Sequence, residues 1–111
     1  MTVSIWNENF THDILFESKI FAANILGENQ QEFAIHFGRQ SARDVDKFKD
    51  VRYRTEKSGA PILYKDAIAY MDCRTINTMN AGDHTIFLGK ILRAATLREE
   101  APLIYDRKDY P

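Results

Sequence analysis

One cysteine, three prolines, five glycines and one tryptophan occur among 111 residues, and each scarcity closes a possibility. The lone Cys73 can form neither an intramolecular disulfide nor a CxxC redox or zinc pair, which favours a reducing, cytoplasmic setting. Neither sign of charge predominates: 15 Lys+Arg against 16 Asp+Glu leave a formal net charge of -1. No net field therefore draws the chain to nucleic acid or to a membrane surface. Its basic residues are scattered rather than interleaved with aromatics, so no nucleic-acid partner is expected. No apolar run approaches the length of a membrane span, and "MTVSIWNENF" lacks the basic start and continuous apolar core of a signal peptide. GxGxxG and GxxxxGKS/T are both missing, which excludes arguing for a Rossmann site or a P-loop. The three histidines, His12, His36 and His84, lie far apart without a HExxH or CxxC partner, so no metal site is expected.

What is present is an ordinary globular composition, 44% hydrophobic and 28% charged, in a chain sized for one domain. "TVSIW" alternates as a strand. "NENFTHDILFES" offers Asn9 or Thr11 as the N-cap of a short helix, and "KIFAANILG" reads as a strand buried on both faces. Phe33, Ala34 and Phe37 predict a helix from Glu28 that stops at Gly38, and "SARDVDKF" predicts another capped by Ser41. Residues 49–60 look like an exposed connection. Pro61 then opens a long strand with Ile68, Tyr70, Asp72 and Arg74 on one face and Ala69, Met71 and Cys73 on the other. "NAGD" turns into "HTIFLGKILRAAT", forming a hairpin. "APLIYDRKDYP" supplies a short strand and a tyrosine-bearing tail. The sum is about five strands with short inserted helices, an antiparallel barrel-like or α+β domain.

Four positions attract functional readings. Thr11, close to Asn9 at a strand-to-helix junction, could receive a phosphate, or it belongs to an ordinary helix cap. Lys47 could be a phosphate counter-charge or a solvated helix lysine. His84 stands where the Gly82-Asp83 turn becomes a strand, as a functional group or as a satisfied turn histidine. Mid-strand Cys73 reads as inert packing. The residues alone do not choose a function.

The ordered set "SIWNENFTHDILFES", "FAANILGENQQEFAIHFG", "DKF", "GAPILYKDAIAYMDCRTINTMNAGDHTIFLGKI" and "APLIYDRKDY" resembles the flavin reductase-like family, whose members have an FMN-binding split β-barrel. Its nearest likeness is to the branch of flavoredoxin-like proteins and reductase components of two-component monooxygenases. The resemblance implies a mainly β split barrel over 1–111, a single domain shortened at its N-terminus, because family members carry a further N-terminal segment before the strand that leads into "NENFTH".

The same resemblance implies that Asn9 and Thr11 donate to the FMN phosphate and that Lys47 reaches the flavin or its phosphate region. It implies that His84 serves catalysis at the flavin and nicotinamide side, and that Tyr110 or Tyr105 covers the site. The implied activity is hydride transfer from NAD(P)H to FMN, delivering reduced flavin or electrons to a monooxygenase or another electron acceptor. A homodimer with FMN near its interface is expected. Two other outcomes stay open: a flavin-binding electron carrier, and a split-barrel remnant without flavin.

Overall fold

In the computed structural model, which describes residues 1–38 and 51–104, the alternating and β-branched segments assemble into one antiparallel sheet. Its strands are β1 (Thr2–Trp6), β2 (Ile20–Leu26), β3 (Ala67–Ala81) and β4 (His84–Thr96), with helices α1 (Phe10–Ser18) and α2 (Gln31–Gly38) between the early strands. The strand order is β1-β4-β3-β2. The long β3–β4 hairpin is thus central, flanked by β1 at one edge and β2 at the other. This curled, mostly β half-barrel matches the expected fold class.

The hairpin closes on Gly82 and Asp83, since Ala81 pairs with His84. Gly82 has φ +74°, whereas Asp83 is not among the positive-φ residues. Positive φ at the first central position alone is what a type II′ turn requires, and glycine takes it without strain. Two register shifts interrupt the ladder: Leu92 is an extra residue in β4 between the pairs Asp72↔Arg93 and Cys73↔Ile91, and Ile76 is an extra residue in β3 between Thr75↔Gly89 and Asn77↔Leu88.

The sheet buries residues on both of its faces. On one, Leu15 of α1 meets Phe21, Cys73 and Phe87, with Met1, Val3, Ile5 and Met71 packed around them. Gly89 lies under this cluster, where a Cβ would stand 2.5 Å from Phe21 Cζ and 3.1 Å from Cys73 Cβ. Burial pushes the Cys73 thiol pKa up, consistent with the inert packing expected of it.

On the other face lies segment 51–66, and here sequence reasoning needs correction. The exposed connection expected of residues 49–60 holds at 52–55, 57 and 59, whereas Val51, Glu56 and Ser58 are half-buried and Ala60 is buried. Their polar groups meet polar groups of the sheet. Ser58 donates its backbone N–H (3.0 Å) and its hydroxyl to fully buried Asp72, and Tyr70 donates to Glu56 at 3.0 Å. Arg93 and Arg54 flank the same Glu56 at 2.8 and 3.9 Å. Polarity here marks partners rather than solvent.

Other boundaries also move. The strand expected from Pro61 begins at Ala67, after a turn closed by Ala67 N–H to the Leu63 carbonyl at 2.8 Å. β2 has only Phe21 buried, its other residues being half-buried. The final short strand reduces to the bridge Gly27↔Pro102. The helix capped by Ser41 lies outside the described residues. The predicted faces of β3 hold: Tyr70, Asp72 and Arg74 oppose Asn24, Ala22 and Ile20, whereas Met71 and Cys73 oppose Ala23 and Phe21.

Candidate functional site

The chain leaves β1 at Trp6, turns through Asn7–Asn9 and enters α1. Asn9 is the N-cap: its backbone is extended, and its side-chain oxygen accepts from Thr11 N–H at 3.0 Å. That satisfies one of the helix's otherwise unpaired donors. The other expected cap, Thr11, is therefore inside the helix, and its hydroxyl makes no hydrogen bond to another described residue.

The hairpin tip sits against this junction. Asn7 N–H donates to the Asp83 carbonyl at 2.8 Å, and Trp6 pairs with His84 in the ladder. Asn9, Thr11 and His84 thus share one end of the sheet. They do not share a face. Strand side chains alternate, so His84 lies with its pairing partner Trp6 on the face opposite Phe87 and α1. The His84 side chain is 44% exposed, and its Nδ1 is 2.8 Å from Asp83 Oδ1. That contact, followed by the nearby imidazole charge, lowers the pKa of the Asp83 carboxyl.

Lys47, Tyr105 and Tyr110 lie outside the described residues. Sequence reasoning missed a polar chain behind the tip that runs from half-buried His12 through buried Thr85 to exposed Asn7: His12 Nε2 is 3.1 Å from Thr85 Oγ1, Thr85 donates to Asn7 Oδ1 at 2.7 Å, and Asn7 Nδ2 donates to the Gly82 carbonyl at 3.2 Å. Its one sequence signal is Thr85 at an inward position of the alternating run "HTIFLG". The parity of that run points threonine inward with Phe87.

This end of the sheet can present hydrogen bonds but little positive charge. The Asn9 amide, the Thr11 hydroxyl and the His84 imidazole are donors suited to the polar edge of a flavin nucleotide. Residues 6–13 and 81–85 contain Glu8, Asp13 and Asp83 but no Lys or Arg. A phosphate placed here needs a cation from elsewhere in the chain.

The family model for the flavin reductase like domain matches residues 1–111. The chain belongs to the flavin reductase-like family. It is 31% identical over 106 residues to a ferric-chelate reductase (NAD(P)H) of Archaeoglobus fulgidus, covering 95% of this chain and 63% of that protein. It is 36% identical over 93 residues to HsaB, the reductase subunit of a flavin-dependent monooxygenase of Rhodococcus jostii, covering 84% of this chain and 46% of that one. In structure it superposes on the NADH:FAD oxidoreductase SgcE6 of Streptomyces globisporus C-1027 with a TM-score of 0.78 at 31% identity, over 86% of this chain and 57% of the other. The chain therefore spans between 46% and 63% of these family members.

Proposed function

We propose that this chain, as a single domain, binds FMN at the end of the sheet formed by the hairpin tip and the start of α1. There it serves an NAD(P)H:FMN oxidoreductase. The observation that carries this reading is the contact between the Gly82-Asp83-His84 turn and the Asn7–Thr11 junction. It joins two segments that resemble the family's cofactor-binding motifs. Bound FMN would supply the hydride-accepting ring. Asn9 and Thr11 would hold its phosphate by hydrogen bonds, and Lys47 would supply the positive charge that the junction lacks. His84, half-exposed beside Trp6, would orient the nicotinamide, because hydride transfer depends on proximity and alignment more than on a strong acid or base.

The partners follow from the same likeness. Reduced flavin or its electrons would pass to a monooxygenase or another acceptor protein, as the names of several relatives suggest. A homodimer is supported by the sheet face that carries His84, where Trp6, Met79 and Leu88 are 47%, 58% and 38% exposed. Apolar side chains grouped on one face favour association. The cytoplasm is the proposed setting, one that suits an unpaired thiol.

Fluorescence titration of FMN into the 111-residue chain, with its mass in solution, tests binding and dimerisation together. Saturable quenching by a dimer is expected, and Met79→Lys with Leu88→Lys should yield monomers. Thr11→Ala and Lys47→Ala should each weaken FMN binding by roughly 1.5–3 kcal/mol. His84→Ala should change turnover or nicotinamide affinity more than FMN affinity. Bound FMN that NADH and NADPH reduce only slowly would indicate an electron carrier instead. A melting temperature indifferent to FMN would indicate a remnant, since ligand at a hundred times its Kd adds about 2.7 kcal/mol.

A further inference from the structure

The polar chain behind the hairpin tip has a direction that its atoms determine. The Gly82 carbonyl can only accept, so the Asn7 group facing it at 3.2 Å is the amide nitrogen, which leaves Asn7 Oδ1 toward Thr85. Thr85 has one hydroxyl proton, and it is spent on Asn7 Oδ1 at 2.7 Å. Thr85 Oγ1 can then only accept from His12, 3.1 Å away. His12 Nε2 must carry a proton. Its ring is held for this contact, stacked on Phe16 at 5.7 Å and edge-on to Phe87 at 5.8 Å; Asp13 Oδ1, 3.1 Å from Nδ1, also accepts, so both ring nitrogens face acceptors.

From this we infer that His12 is a positioning residue for His84. Thr85 is buried and anchored through its side chain on the α1 face. Neighbouring strand residues point to opposite faces, so fixing Thr85 fixes the direction in which His84 leaves the other face. Asn7 extends the hold to Gly82, the residue that sets the turn. A histidine on α1 thereby sets the aim of a histidine across the sheet without touching it. The inference deepens the proposed function in its kinetic consequence alone; the structural part stands without flavin.

The test separates the two. In long-range 1H–15N spectra of the chain without FMN, His12 is expected to carry a proton on Nε2; an Nε2 without one overturns the inference. His12→Phe keeps a ring for Phe16 and Phe87 but has no donor, and should shift the amide signals of Gly82, Asp83 and His84. His12→Gln, whose amide nitrogen can stand in for Nε2, should restore them. Unmoved tip amides in His12→Phe, or no restoration in His12→Gln, overturns it.

In NADH oxidation with FMN, His12→Phe should lower kcat/KM about tenfold through misalignment. It should cost no more when His84→Ala is also present. Independent, multiplying losses would show that His12 does not act through His84. A wild-type chain without flavin-dependent turnover would sink the proposed function and leave the spectra to decide this inference.

Discussion

The hairpin has two unlike halves. Where β3 runs beside β2, segment 51–66 covers one face, and Ile62, Ala67, Asp72 and Cys73 are fully buried. Beyond Arg74, where β3 has no β2 partner, Ile76 and Met79 are 59% and 58% exposed, and polar residues alternate with them. The base is packed on both faces, whereas the tip is packed only on the α1 face, through Thr85 and Phe87, and open on the face that bears His84. At the tip, packing and the candidate chemistry therefore lie on opposite faces of the same two strands, and substitutions can separate them.

The largest effect should come from the base. Asp72→Ala removes the acceptor for both Ser58 donors, and unpaired buried groups cost about 1–3 kcal/mol, more where a charge was involved. A lower midpoint in urea is expected, together with faster amide hydrogen exchange in segment 51–66 as it loosens. Unchanged unfolding would dissolve the distinction between the halves. Gly89→Ala should follow, because its Cβ would meet Phe21 Cζ at 2.5 Å; overpacking costs typically about 1–3 kcal/mol, read as a drop in melting temperature.

At the tip the effects should be smaller and conditional. The folded Asp83 carboxyl has a lowered pKa through His84, so its contribution to stability is present above the ordinary carboxylate range and is lost as the pH falls through the lowered value. Asp83→Asn should flatten that part of the acid limb in thermal melts, while leaving the neutral-pH melt nearly as it was. Lys19 caps α1 in the left-handed region at φ 62°, a conformation that favours glycine. Lys19→Gly should stabilise by about 1 kcal/mol or less, visible as a slightly raised midpoint.

The same division explains what the sequence disclosed. Strand parity alone put Tyr70 and Asp72 opposite Cys73, and Gly82-Asp83 announced the turn, since both are local consequences of alternation and turn chemistry. Asn9 was legible as one of two possible caps. Segment 51–66 was not legible, because polar residues that pair with a distant buried Asp72 look the same in sequence as polar residues facing water. Nor was the opposition of His84 and Thr11 across the sheet, which depends on how β1, β4 and α1 meet. The readings of Lys47 and Tyr110 fall outside the described residues and rest on the family resemblance.

The two register shifts compensate. Leu92 adds a residue to β4 and Ile76 adds one to β3, so that Ala69↔Thr96 at the base and Ala81↔His84 at the tip obey the same pairing. The hairpin behaves as a counting device whose two errors cancel. Deleting Ile76 alone would remove that bulge and leave the pairs on both sides of it, Thr75↔Gly89 and Asn77↔Leu88, as they are. Ile76 is thus slack in the strand, a residue whose loss spares both the partner and the face of His84.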